Sequence, residues 1–110
     1  MSNLKQPRKT NAMETFQQLI QSDTPVLVDF YADWCGPCKA MAPVIKETVH
    51  ELNGKARVIK VDIDKSQSAA QQYQIRSVPT FIIFKKGQVV WRHSGMIDKS
   101  ALTKQLLSFA

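Results

Sequence analysis

The chain is poor in cysteine, with only Cys35 and Cys38 among its 110 residues. A secreted framework stapled by several disulfides is therefore excluded. No apolar run approaches the roughly 20 residues of a membrane-spanning helix, and the opening MSNLKQPRKTNA has no apolar stretch resembling an export leader. These absences predict a cytoplasmic protein that makes no membrane contact. Acidic residues are also scarce, nine Asp and Glu against fifteen Lys and Arg, for a formal net charge of +6. Such an excess can attract nucleic acid or an anionic surface. Beyond Lys5, Arg8 and Lys9, however, the two signs are interspersed and no basic run alternates with aromatics. A solvated surface is the simpler reading, and no nucleic-acid partner is expected. There is no G-x-G-x-x-G fingerprint of a bound dinucleotide, no internal repeat and no low-complexity linker. Hydrophobic and charged contents of 44% and 22% are ordinary for a globular domain. The length suffices for one core without a metal staple.

What the chain does have is Trp34-Cys35-Gly36-Pro37-Cys38. Two thiols two residues apart can close a disulfide or open to a dithiol, and Gly36 and Pro37 set the turn between them. Upstream, Val26 to Tyr31 is an apolar run suited to a buried strand, and downstream Lys39 to Leu52 reads as a helix. The motif therefore lies where a strand ends and a helix begins. Unpaired N–H groups and the positive dipole end at a helix start favour the thiolate, the form that attacks disulfides. Cys35, in the first turn, is expected to attack. Cys38, one turn further in, is expected to be more buried and to resolve the intermediate. A zinc half-site would need further soft ligands, and His50 and His93 are isolated in other segments, so no metal is expected. An inert disulfide is disfavoured because the helix start stabilises the reduced form.

The remaining elements follow from periodicity and punctuation. Residues 1–9 are polar and basic, without strand alternation, and predict an irregular arm or a very short edge strand. Thr10 or Asn11 can cap a helix to Ile20, with Asn11 and Glu14 spaced as a capping box and Met13, Phe16, Leu19 and Ile20 on one face. Pro43 should kink the helix after the motif, and Asn53-Gly54 should end it. Arg57 to Ile63 reads as a second central strand. Asp64 or Ser66 can cap a short helix to about Tyr73. Thr80 to Phe84 and Val89 to Ser94 form a hairpin, which makes the sheet mixed. Asp98 caps a last helix with an apolar stripe of Leu102, Leu106 and Phe109. Asp29 is the one charge in the first strand. The residues alone leave it open between a carboxylate satisfied by backbone donors and a titrating group. Trp91 reads as a packing aromatic.

WCGPC preceded by VLVDFYAD and followed by KAMAP, with VDIDKS, SVPTFIIFKKG and HSGMIDKSAL in that order downstream, resembles the thioredoxin family from about Thr10 to the C-terminus. The resemblance implies an α/β thioredoxin fold, a central mixed sheet of four to five strands flanked by helices on both faces, as a single domain over residues 10–110. It implies a protein-disulfide reductase, with disulfide-containing proteins as substrates. No cofactor would be bound, electrons arriving from NADPH through a separate thioredoxin reductase, and a monomer is expected. Asp29 matches the family's buried aspartate, able to exchange a proton with Cys38. Lys60 matches the lysine that modulates it, although a strand lysine with a snorkelling stem reads equally well from the residues. Pro79 matches a cis-proline facing the disulfide, with the backbone of Val78 pairing with substrate. Gly95 matches a glycine that lets substrate approach. Trp34, Gly36, Pro37 and Met96 complete an apolar docking surface, Met96 being bulkier than the small residue common there. The alternatives are an oxidase or isomerase in an oxidising compartment, and a binding module that docks through Trp34, Val78 and Gly95 without turnover.

Overall fold

The structure is a computed structural model that describes residues 12–110. The arm of residues 1–9 and the cap at Thr10 or Asn11 lie outside the described residues, as do the side chains of Met13 and Glu14. In chain order the elements are α1 (Ala12–Leu19), β1 (Val26–Tyr31), α2 (Gly36–Leu52), β2 (Arg57–Asp62), α3 (Gln67–Gln72), β3 (Thr80–Lys85), β4 (Gln88–Ser94) and α4 (Lys99–Ser108). The strands form one mixed sheet in the order β2-β1-β3-β4. β1 runs parallel to β2, with Asp29 opposite Lys60, and antiparallel to β3, with Asp29 opposite Phe81. Among the described residues no helix is long and apolar enough to cross a membrane.

The alternation of β1 explains the layers. Val26, Val28 and Phe30 face a core shared with Phe16 and Ile20, at or just beyond the end of α1, and with Ala69 of α3. Leu27 faces the other core, with Met41 and Ile45 of α2 and Leu102 and Leu106 of α4. Helices therefore cover both faces, and β1 between two neighbours is buried along nearly its whole length. Phe16, Phe30, Tyr73 and Phe84 pack edge-on or tilted in the first core, an arrangement that suits aromatic quadrupoles.

Local signals account for the ends of the elements. Asn53 closes α2 in the left-handed region at φ 43°, followed by Gly54 at φ 89°. The β3–β4 turn uses Lys86 at φ 54° and Gly87 at φ 80°, the two positive φ values a tight hairpin requires. Asp98 caps α4, its Oδ1 accepting from the N–H of Ala101 at 2.8 Å.

Two expectations change. α2 starts at Gly36 rather than Lys39, because Pro37 in the first turn needs no N–H partner. Pro43 lies inside this same helix. β2 ends at Asp62 and, among the described residues, is the outermost strand rather than a central one. Its first half is largely exposed, although the N–H of Ile63 still donates to the carbonyl of Tyr31 at 2.9 Å.

Candidate active site

Cys35 is the N-cap of α2, and its Sγ accepts from the N–H of Cys38 at 3.1 Å. The sulfur thus occupies the place where a helix offers unpaired donors and the positive end of its dipole. Cys35 and Cys38 are joined as a disulfide with Cα atoms 5.3 Å apart. Cys38 is not the more buried of the two, the exposures being 4% for Cys35 and 6% for Cys38. The closed bond draws both sulfurs into one small cluster with Ala32, against Tyr31, Ile63 and Val78.

Trp34 stands 69% exposed beside them. Its indole Nε1 donates to Oδ2 of Asp64 at 3.0 Å. Asp64 follows a turn in which Oδ1 of the buried Asp62 accepts from the N–H of Asp64 at 2.9 Å and of Lys65 at 3.3 Å. Sequence reasoning assigned Asp64 only as a helix cap. The helix is instead entered at Ser66, whose side chain makes no capping bond, which leaves the Asp64 carboxylate for Trp34. An Asp-x-Asp at a strand end was the available signal, but its partner lies 30 residues away.

The Val78-Pro79 peptide bond is cis. Pro79 is buried and Val78 half-buried against the disulfide cluster. The carbonyl of Pro79 accepts from the N–H of Gly95 at 2.8 Å, joining the two segments. Gly95 sits at φ 95°, and a Cβ added there would meet nothing within 4 Å. Its conformation, not crowding, therefore calls for glycine. Met96 beside it is 55% exposed, and Gly36 and Pro37 are exposed on the rim of the disulfide. The structure thus brings Trp34, Gly36, Pro37, Val78, Pro79, Gly95 and Met96 around one end of the sheet.

Asp29 is set back from this surface, 2% exposed. By strand alternation it shares the face of Leu27, the face covered by α2, the helix that carries Cys38. Its Oδ1 has no hydrogen-bond partner, so backbone donors do not satisfy the carboxylate in full. Burial raises its pKa from 3.8 to about 6, against the opposing pull of the Lys60 charge. Lys60 is exposed, and its Nζ lies 4.8 Å from the ring centroid of Tyr31, a cation–π contact that holds the stem against the strand pair. Among the described residues no group of three or more His, Cys, Asp or Glu could hold a metal ion. A cavity of about 440 Å³ between the end of α2 and α4, lined in part by Asn53, Lys55 and Thr103, includes none of these residues.

A redox-active cysteine pair at a helix start, faced by a cis-proline loop on a mixed α/β sheet, defines a thiol–disulfide exchange protein. The family model described as Thioredoxin matches residues 7–108. The chain is 48% identical to Thioredoxin 1 of Nostoc over 90 residues, 82% of this chain and 84% of that one. Its structure superposes on a thioredoxin variant of Halobacterium salinarum with a TM-score of 0.78 at 39% identity, covering 86% of this chain and 81% of the other. On mitochondrial thioredoxin 3 of Saccharomyces cerevisiae, in its oxidised form, it gives 0.79 at 32% identity, covering 87% and 89%. The chain belongs to the thioredoxin family. It is a thiol-disulfide oxidoreductase that reduces protein disulfides through Cys35 and Cys38. The redox group is the cysteine pair itself rather than a bound cofactor, and the family implies disulfide-bearing proteins as substrates and a reductase as partner.

Proposed function

We propose that Cys35 is the attacking thiolate and Cys38 the resolving thiol, in one domain beginning near residue 10. The observation that carries this assignment is the bond from the Cys38 N–H to the Cys35 sulfur at the N-cap of α2, because a donor aimed at one sulfur favours its anion over that of its partner. The Cys35 thiolate attacks a substrate disulfide, forming a mixed disulfide and releasing one substrate thiolate. Cys38 then loses its proton and attacks the Cys35 sulfur, closing the Cys35–Cys38 bond and releasing the second substrate thiolate. Two electrons pass from the dithiol to the substrate. Asp29 is the acceptor of the Cys38 proton, a role suited to a carboxyl with a pKa of about 6. Lys60 keeps that value from rising further.

Trp34, Gly36, Pro37, Val78, Pro79, Gly95 and Met96 form the docking surface. The Val78 backbone pairs with an extended substrate segment, and the open space over Gly95 receives it. Thioredoxin reductase, oxidising NADPH, is the electron donor, and the cytoplasm is the place of action. The test is NADPH consumption with thioredoxin reductase and insulin. Wild-type protein should support turnover and Cys35→Ser none. A Cys35→Ser protein that retained its effect would mean docking without chemistry.

A further inference from the structure

β4 carries consecutive residues whose contacts the sulfur chemistry leaves unused. Trp91 pairs across the hairpin with Ile83 and His93 with Phe81, so both lie on the face covered by α2 and α4. Their rings stack, with centroids 5.8 Å apart and planes 3° from parallel. Nε2 of His93 lies 3.1 Å from the backbone carbonyl of Met96. A carbonyl oxygen only accepts, so Nε2 carries the proton and donates it. The same loop is held one residue earlier by the bond from the Gly95 N–H to the Pro79 carbonyl. On the opposite face, Arg92 donates to the carbonyls of Tyr73 and Gln74, at 2.8 Å to the latter, where the chain turns toward Val78.

We propose that His93, steadied by the stacked Trp91, is a positioning residue that fixes the Gly95-Met96 loop and thereby sets affinity for protein disulfides. The inference rests on the reading of Gly95 and Met96 as docking surface. Residues 95–98 have no regular secondary structure, and although Ile97 packs on the second core and Asp98 caps α4, the backbone at Met96 itself is tied by the His93 bond. Without the His93 bond the loop keeps its tie at Gly95 but not at Met96. Only part of the population then presents the docking conformation, and apparent affinity falls by that fraction. One net hydrogen bond bounds the effect at about three- to tenfold.

Wild type, His93→Ala, His93→Gln and Met96→Ala are compared in steady-state insulin reduction and in reduction of dithiobis(nitrobenzoate), a disulfide too small to use the rim. His93→Ala should raise KM for insulin about three- to tenfold, with kcat within about twofold and the small-disulfide rate at its wild-type value. His93→Gln should restore most of the KM, since its amide N–H can donate to the same carbonyl. If Met96→Ala raises KM and His93→Ala does not, the inference falls and the docking reading stands. If neither raises KM, the docking reading falls and takes the inference with it. Equal losses on both substrates, or no rescue by glutamine, mean general destabilisation and overturn the positioning role.

Discussion

Replacing Asp29 with asparagine should stabilise the protein at neutral pH while slowing one step of its chemistry. The stability effect follows from linkage. Below pH 3.8 the carboxyl is neutral in folded and unfolded chains alike, and its burial carries no ionisation cost. Between 3.8 and about 6 the unfolded chain gives up the proton first, so the folded state binds more protons and stability falls as pH rises. Above about 6 the loss is complete. Each pH unit between the two values is worth about 1.4 kcal/mol, which makes the full loss ~3 kcal/mol. Asparagine places an NH2 group where the neutral carboxyl has a single O–H, and burying the added donor costs about 1 kcal/mol. The net expectation for Asp29→Asn is a gain of ~2 kcal/mol at pH 8, or roughly 8 °C in Tm. The gain should shrink to within about 1 kcal/mol near pH 4.

Urea unfolding of both proteins from pH 4 to 8 measures this difference directly. Parallel curves across that range would refute the buried carboxyl with its raised pKa. A variant less stable than wild type at pH 8 would do the same. Kinetics supply a separate check. Stopped-flow single turnover should show the release of substrate from the mixed disulfide slowed about tenfold or more near pH 7, with initial attack unaffected.

Cys38→Ser should accumulate a stable mixed disulfide with insulin chains on Cys35, seen by mass spectrometry without reductant; rapid release would reverse the roles of the two thiols. Lys60→Met removes the charge that lowers the Asp29 pKa, so the carboxyl titration followed by NMR should move above its present value of about 6, and an unmoved curve would dismiss the electrostatic coupling. Asp64→Ala deletes the acceptor of the Trp34 indole and should lower kcat/KM for insulin by about two- to tenfold, whereas Asp64→Asn keeps an acceptor and should lie near wild type. Gly87→Ala forces a side chain onto φ 80° and into the Gln21 amide, which should cost about 1–2 kcal/mol in chemical denaturation; an unchanged midpoint would show that the turn relaxes freely.

Features written in local chemistry were legible in the sequence. The strand-to-helix junction around Cys35, the Asn53-Gly54 stop and the Asp98 cap each depend on residues within one turn of one another. The hairpin was legible for the same reason, with Lys86-Gly87 supplying positive φ between apolar runs. What depended on pairing between distant segments was not. β2 has a strand's alternation, but whether a strand is central or outermost is set by its neighbours, and its exposed Arg57, Val58 and Lys60 do not declare the order. The cysteines' similar burial comes from a cluster assembled out of β1, the motif, Ile63 and Val78. Asp64 had a local role as a cap that was as sound as its actual one. Only the fold, by carrying Trp34 to it, decided between them.

The same distinction explains why the titrating carboxyl sits on β1. An aspartate on a strand with one open edge keeps water beside it and loses less hydration on folding. Lys60, on the outermost strand among the described residues, keeps its charge exposed. To hold a carboxyl near pH 6 the chain must place it on a strand paired on both edges and covered by a helix, and β1, with Val26, Leu27, Val28 and Phe30 all at 0% exposure, is such a strand. The position that suits Asp29 to the proposed proton transfer is therefore the one where its charge costs most. A cost of ~3 kcal/mol is a large share of the 5–15 kcal/mol by which domains are typically stable. It is tolerable because the apolar residues around it are fully buried, at about 1.5–3 kcal/mol for each large side chain. Lys60 lowers the cost further without joining the core, acting from the parallel neighbour directly opposite. Moving the carboxylate to β2 by the double substitution Asp29→Asn and Lys60→Asp should thus yield a more stable protein at pH 8 whose resolution step stays slow. Restored resolution would show that proximity to the strand pair, rather than burial, is what the reaction requires.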